Sequence, residues 1–234
     1  MKSFVFILIL SFSLFHGLIA QEDKFYSENG GELIFSFADL EFDGEPVSTP
    51  MRFTMFFHLG QKYHYNITRF LGLYSGYSLR NIGFISEMDD VKTKRRTYSF
   101  GIPLALKLGV LDNDIFIYGG ASYELFFHYK QKQFIGGEKS KFTEWFSPRT
   151  ERFGHSFFTG IRFPGGWDLK FKYYPGDFLN TDYEGEDFNQ EVDYSNYTKS
   201  NLFYIGLSFN FRPDKIFSMP EPKAKEARFA SLKE

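Results

Sequence analysis

The sequence contains no cysteine among its 234 residues. Disulfide bonds therefore cannot stabilise the fold, and the chain cannot be a lipoprotein, because that class carries its lipid on a cysteine at the cleavage site. An excess of positive charge is also missing, since 27 Lys and Arg residues are outnumbered by 29 Asp and Glu residues. Nucleic-acid-binding proteins usually carry a basic surface, so we expect no nucleic-acid partner.

After residue 20 the sequence has no apolar run near the roughly 20 residues that a membrane-spanning helix needs. The first twenty residues match a secretory signal peptide, with the positive charge of Lys2, an apolar stretch from Phe4 to Phe15, and Ala20 before the polar Gln21. We predict a signal peptide over 1–20, cleaved after Ala20. The alternative is an uncleaved amphipathic or core helix.

Aromatic residues make up 21% of the chain, and many of them recur at every second position. Between Thr97 and Val110, apolar side chains such as Leu104 occupy one set of alternating positions, and small or charged ones such as Lys107 occupy the other. This alternation is typical of a strand with one polar face and is hard to explain as a helix. Pro103 is the one discordant residue, because proline cannot donate to a β-ladder.

The same alternation predicts eight strands. The three less regular ones are expected near Glu32–Phe42, Arg52–Leu59 and Phe70–Ile85. The seven predicted connections are 43–50, 60–69, 86–96, 111–114, 132–152, 164–166 and 175–200. Apart from the first pair, each odd connection is longer than the even connection that follows it. Odd and even connections lie at opposite ends of an up-and-down barrel, and outer-membrane barrels have short periplasmic turns and longer outer loops.

The loop lengths therefore predict an all-β fold, an eight-stranded antiparallel up-and-down transmembrane β-barrel over 31–212. A short periplasmic segment over 21–30 is expected before it, and a polar periplasmic tail over 213–234 after it. A soluble, lipocalin-like barrel is the alternative, with its apolar face inside. Glycines on the polar face, such as Gly72, Gly101 and Gly160, favour the membrane barrel, because small residues in a narrow lumen leave room for long ones.

Two sets of residues are candidates for a role in such a barrel. The first is a network of charges pointing into the lumen, predicted to comprise Glu32, Arg52, Lys107, Glu124, Arg162, Asp168, Lys170 and Lys172. The second is a set of aromatic residues at the lipid interface, predicted to comprise Tyr98, Tyr129, Trp167, Tyr173, Phe203 and Phe211. Paired charges would fill the lumen as a structural plug, for example Lys107 with Glu124. The alternatives are a gated ion or proton path and a ligand or catalytic site.

Two segments carry a family resemblance. They are FLGLYSGYSLRNIGF over 70–84 and YIGLSFNF over 204–211. They resemble the small porin-like outer-membrane β-barrels common in Bacteroidota, which are barrels of the OmpA/OmpX type. The closing strand is also similar to the signal read by the barrel-assembly machinery, which favours a terminal aromatic residue. Residues 212–234 follow Phe211 here, so the chain departs from that signal.

The resemblance implies a non-enzymatic outer-membrane protein serving envelope structure or surface interaction, with a narrow pore as the alternative. A lipid-A-modifying enzyme is less favoured, because the adjacent His155 and Ser156 would point to opposite faces of a strand. We expect no cofactor and no metal site. The expected partners are outer-membrane lipid and lipopolysaccharide, the barrel-assembly machinery, and an unidentified surface or periplasmic protein.

Overall fold

The computed structural model of the chain describes residues 24–213. The predicted signal peptide and the predicted tail beyond residue 213 lie outside the described residues. Within the described residues, no helix is long and apolar enough to cross a membrane.

The described chain is built almost entirely from antiparallel β-strands. In chain order they are β1 (Phe25–Phe42), β2 (Glu45–Pro46), β3 (Arg52–Thr54), β4 (Leu59–Asn66), β5 (Leu71–Met88), β6 (Val91–Val110), β7 (Ile115–Ile135), β8 (Glu138–Trp145), β9 (Phe153–Phe163), β10 (Trp167–Asp177), β11 (Glu184–Asp187), β12 (Gln190–Asp193) and β13 (Tyr197–Phe211). Neighbouring strands pair in the order β13-β10-β9-β7-β6-β5-β4-β1, and β13 pairs with β1 to close the ring. The chain is therefore a closed eight-stranded up-and-down β-barrel, with β3 and β4 sharing the second position, and the predicted fold is confirmed.

The two ends of the barrel differ in their connections. One end, here called the turn end, holds the short connections 67–70, 111–114 and 164–166, together with both ends of the described chain. The opposite end, here called the loop end, holds the β2, β8 and β11–β12 extensions.

Two predicted loops were placed wrongly, because 60–66 belongs to β4 and 86–96 is a hairpin that turns at residues 89–90. The predicted periplasmic segment 21–30 was also too long, because β1 begins at Phe25.

The second position of the barrel wall is interrupted. β1 pairs with β3 at Ile34–Ser36 and with β4 at Phe25–Gly31, while residues 55–58 between them form no strand. β3 forms a backbone ladder with β1 but not with β5. The side chain of Arg52 bridges the gap between β3 and β5. The guanidinium of Arg52 donates to the backbone oxygen of Asn81 at 3.3 Å and to its Oδ1 at 2.7 Å. Arg52 thus replaces part of the missing ladder.

The two faces of the wall have opposite character. On β6 the outward face is apolar from Phe100 to Val110, and Leu104 in the middle of this stretch is 62% exposed. Five of the predicted interface aromatics lie on the outward face: Tyr98, Trp167, Tyr173, Phe203 and Phe211. A strand of about 9–11 residues spans a bilayer core, which is the length of this apolar stretch.

The prediction for Tyr129 was wrong. Thr97 pairs with Tyr129 and Tyr98 with His128, but Ser99 pairs with Phe126, so Phe127 is an extra residue in β7. Such a β-bulge shifts the alternation by one position. Tyr129 consequently points into the barrel and is 1% exposed, instead of lying at the lipid interface.

Candidate functional site

The alternation of the strands places all eight predicted charges on the inner face of the wall. Each of them is at most 8% exposed: Glu32, Arg52, Lys107, Glu124, Arg162, Asp168, Lys170 and Lys172. Arg52 lies at the gap beside β5, as described above. The other seven fall into two groups, here called the lower cluster, near the turn end, and the middle cluster, halfway along the lumen.

Arg162 is the centre of the lower cluster. Its Nη1 and Nη2 donate to the two carboxylate oxygens of Glu28 at 3.2 Å and 2.7 Å, and its Nε donates to Asp168. Asp168 also accepts from Lys62 Nζ at 3.0 Å. The imidazole of His64 lies 3.2 Å from Glu28. Bidentate arginine–carboxylate pairs are the strong form of a charge-assisted hydrogen bond, so this cluster joins four strands across the lumen.

Lys107 lies in the lower cluster but does not pair with Glu124. Its Nζ donates to the hydroxyl of Tyr26 at 3.2 Å and to Asn66 Oδ1 at 2.8 Å. In the register of β6 with β7, Lys107 lies opposite Tyr118, six residues from Glu124. At about 3.4 Å per residue, that offset is roughly 20 Å along the strand. The predicted pairing was therefore wrong.

The middle cluster contains two carboxylates, each held by cations. Glu32 forms an ion pair with Lys170, with Nζ 2.6 Å from Oε1, and its Oε2 accepts a hydrogen bond from Arg80 Nε at 3.1 Å. Glu124 accepts from Lys172 and from the hydroxyl of Tyr174, the latter at 3.1 Å. Charges buried in a lumen are tolerated when they are paired and hydrogen-bonded, and both carboxylates meet that condition.

Glycines on the inner face make room for these long side chains. A Cβ atom added to Gly72 would lie 2.8 Å from Lys107 Cε, and one added to Gly101 would lie 3.0 Å from Glu124 Cγ. Both distances are shorter than ordinary van der Waals contacts. The lumen of an eight-stranded barrel is narrow, so glycines on the polar face are needed to leave space for the long side chains opposite them.

Three charged members of the clusters were missed by the sequence reasoning. Glu28 and Lys62 lie in segments that were predicted to be outside the barrel wall. Arg80 lies an even number of residues after the inward-facing Gly72 on β5. The alternation of faces along β5 would therefore have placed Arg80 in the lumen.

Between the middle cluster and the loop end, aromatic and aliphatic side chains fill most of the lumen. The buried cluster here includes Phe84, Phe126, Tyr129, Tyr174 and Tyr204. Beyond this cluster, at the loop end, lies a cavity of about 360 Å³ between β1, the β5–β6 hairpin, β7 and the segment 187–197. We call it the outer chamber.

The outer chamber contains two buried charges, Arg95 and Asp187. Asp187 accepts from Arg149 Nε at 2.6 Å, from Gln131 Nε2 at 3.0 Å and from the hydroxyl of Tyr194 at 2.8 Å. Burial alone would lower the pKa of Arg149, but the hydrogen bond to Asp187 and the negative charge of Asp187 outweigh it and raise that pKa. Arg95 donates instead to neutral oxygens, from Nη1 to Ser86 at 2.9 Å and from Nη2 to the hydroxyl of Tyr197 at 2.8 Å.

Residues suited to other chemistry are not brought together. His155 is exposed on the outer face of β9, and the neighbouring Ser156 is buried on the inner face. Within residues 24–213, no group of three or more His, Cys, Asp or Glu side chains is arranged to hold a metal ion.

No protein-family profile matches the sequence, and no curated protein matches it either. Several solved structures are similar to the chain. One is Ail, the attachment invasion locus protein of Yersinia pestis, at 12% identity and a TM-score of 0.34, covering 80% of this chain and 99% of Ail. A second is Neisserial surface protein A, at 16% identity and a TM-score of 0.38, covering 81% and 98%. A third is the outer membrane protein OprG from Pseudomonas aeruginosa, at 12% identity and a TM-score of 0.36, covering 80% and 96%. Because these TM-scores are low, the similar structures do not establish the fold. The fold assignment rests on the closed ring of strands in the chain itself.

Proposed function

We propose that this protein is a non-enzymatic, non-conducting barrel of a bacterial outer membrane that serves envelope structure or surface interaction. In this proposal the signal peptide over 1–20 exports the chain, and the closing strand β13 is read by the barrel-assembly machinery. The loop end faces outwards, and the tail beyond residue 213 lies in the periplasm. The resemblance to small porin-like barrels of Bacteroidota belongs to the same proposal.

The outward apolar band supports a membrane location. Leu104, Leu106 and Ile117 are each more than half exposed, while the lumen on the other side of the wall is buried. A contiguous exposed apolar surface of this kind is unfavourable in water. Hydrocarbon removes that cost, and the pairing of β13 with β1 closes the ring, with the Arg52 side chain bridging the gap beside β3.

The filled lumen is the observation that carries the non-conducting part of the proposal. The cavity beside Arg80, Lys170 and Lys172 has a volume of about 30 Å³, which is close to the space of one water molecule. The paired charges of the lower cluster lie on one side of it, and the aromatic cluster lies on the other. A continuous column of water through the lumen would have to displace both the lower cluster and the aromatic cluster.

Planar-bilayer recording of the purified chain tests this proposal directly. We expect no steady single-channel conductance, whereas a general porin inserted into the same bilayers gives its usual openings. Heat-modifiable gel migration of the same sample shows that the barrel is folded. Reproducible openings from heat-modifiable protein would refute the closed barrel and favour the narrow pore.

A cluster of outward cations supports contact with lipopolysaccharide. They occupy the outer face of β6, β7 and β8 on the loop-end side of Tyr98, and comprise Lys94, Arg96, Lys130, Lys132, Lys139 and Lys141. We call them the outer cationic patch. Lys94 pairs in register with Lys132, and Lys132 with Lys141, so the charges are neighbours.

The patch has no carboxylates to neutralise it. None of its six cations takes part in an ion pair among residues 24–213. The patch begins where the apolar band ends, with Tyr98, His128 and Trp145 in contact at the boundary. In the proposed orientation, this boundary lies at the level of the phosphate groups of the outer leaflet. Clustered Lys and Arg side chains bind such phosphate groups.

Thermal stability in vesicles with and without lipopolysaccharide tests this contact. We expect lipopolysaccharide to stabilise the native chain and to stabilise the double variant Lys130→Gln/Lys132→Gln less. The matched control is Lys24→Gln/Arg69→Gln, which removes two exposed charges at the turn end and should keep the full effect. Equal stabilisation of both double variants would refute the role of the patch.

A further inference from the structure

The outer chamber has the size of a small-molecule site. Its volume of about 360 Å³ lies at the lower end of the roughly 300–1,000 Å³ that such sites occupy. Asp89 and Glu191 line it and are exposed, so the chamber is reachable from solvent at the loop end. Nothing in the proposed structural role of the barrel requires a chamber there.

Arg95 supplies a buried positive charge without a negative partner. It is 6% exposed and forms no ion pair with a carboxylate of residues 24–213. Its Nε is buried and donates no hydrogen bond. Asp187, the other buried charge of the chamber, is already occupied by Arg149. A guanidinium has five N–H donors in a fork that matches a carboxylate, and burying it unpaired is costly.

The rim of the chamber has the opposite charge. Asp89, Glu191 and Asp193 line it and are exposed. A simple anion would be repelled at this rim, whereas a ligand that also carries an ammonium group would be attracted. The charges therefore suit a molecule with its carboxylate inside and its ammonium outside.

The walls between the rim and Arg95 are partly apolar. Leu40, Val47 and Val192 line them, and the rings of Tyr194 and Tyr197 lie 6.0 Å and 5.3 Å from the Arg95 guanidinium carbon. An apolar side chain of the ligand would be removed from water against these residues. The chamber thus combines a cationic floor, apolar walls and an acidic rim.

We propose that the outer chamber binds an apolar amino acid or short peptide as a zwitterion. The carboxylate accepts hydrogen bonds from Arg95, the ammonium group lies towards the acidic rim, and the apolar side chain packs against Leu40 and Val192. Binding occurs at the outer mouth and requires no passage through the lumen. This inference is independent of the closed-barrel proposal.

Isothermal titration calorimetry of the purified full chain in detergent micelles, with the dipeptide Leu-Leu as the probe, tests the inference. We expect saturable binding at one site. Leu-Leu amide lacks the carboxylate and N-acetyl-Leu-Leu lacks the ammonium group, and each should bind at least about tenfold more weakly, the factor that corresponds to one charge-assisted hydrogen bond.

Two neighbouring arginines of β6 provide the matched variants. Arg95→Gln should abolish binding, whereas Arg96→Gln, which makes the same change on the outward face of the wall, should leave the affinity unchanged. Val192→Trp fills the chamber from β12, outside the barrel wall, and should abolish binding even if Arg95→Gln does not fold. No saturable binding of Leu-Leu, equal binding of its amide, or undiminished binding by Arg95→Gln or Val192→Trp would each overturn the inference.

Discussion

Arg162 on β9 holds Glu28 on β1 by two hydrogen bonds, at 3.2 Å and 2.7 Å. These two strands are not neighbours, because β10 and β13 lie between them in the ring. The pair therefore ties the barrel wall across the lumen and not along it. Both side chains are at most 2% exposed, so neither charge has water as an alternative partner.

Glu28→Gln should be strongly destabilising. It leaves the buried charge of Arg162 short of one carboxylate, and breaking one side of a buried ion pair costs about 3–5 kcal/mol. Urea unfolding of the variant in lipid vesicles measures this loss. The control is Asp114→Asn, because Asp114 contacts the same Arg162 at 3.3 Å but is 25% exposed, and its loss should cost about 1 kcal/mol or less. Equal losses would show that Glu28 owes its importance to something other than burial.

Much of this arrangement follows from alternation alone. Once Leu104 is assigned to the outward face, Lys107 must point inwards, and the same counting places Arg162 and Lys170 in the lumen. Loop lengths gave the topology for an equally simple reason, because connections at one end of an up-and-down barrel share a length class. Pro103 is accommodated as well, since the pairing of β5 with β6 stops at Leu104 and resumes at Gly101.

The errors came from features that alternation does not encode. The bulge at Phe127 reverses the faces of β7 beyond it, which moved Tyr129 inwards. The break at 55–58 hid the start of β4, and with it Lys62. The pairing of Lys107 depended on the register between strands, and neither strand's sequence specifies that register by itself.

Close packing in the lumen gives a second prediction, Gly160→Ala. The added methyl group would lie 2.5 Å from the ring of Tyr118 and 2.7 Å from the backbone oxygen of Leu169, and such overpacking costs about 1–3 kcal/mol. Gly119→Ala is the matched control, because its new methyl group would meet nothing closer than 3.7 Å. Denaturant unfolding of the two variants should therefore differ clearly. An unchanged unfolding free energy in Gly160→Ala would mean that the lumen is less tightly packed than in the structure.

Tyr194, which lines the outer chamber, gives a prediction about pH. Burial, and then the neighbouring Tyr129, raise the pKa of Tyr194 well above its usual value of about 10. A raised pKa in the folded state means that the stabilising contribution is complete below about pH 10 and is lost as the pH rises towards the folded value. The unfolding free energy of the native chain, relative to that of Tyr194→Phe, should thus be constant at neutral pH and fall by about 1.4 kcal/mol per pH unit above about pH 10. A difference that stays constant throughout would show that Tyr194 ionises freely in the folded protein.

The outward apolar band gives the last prediction, which concerns depth in the membrane. Leu104 lies in the middle of the band on β6, and Val110 lies at its end beside the turn 111–114. An arginine on the lipid face of a barrel costs about 2–4 kcal/mol at the bilayer midplane and about 0–1 kcal/mol near the interface. Leu104→Arg should therefore lower the unfolding free energy in lipid vesicles by about 2–4 kcal/mol, whereas Val110→Arg should lower it by about 1 kcal/mol or less. Because both variants place the same side chain on the same face of the same strand, the difference between them reports hydrocarbon depth alone. Equal costs in the two variants would place this face outside the bilayer core and refute the membrane location.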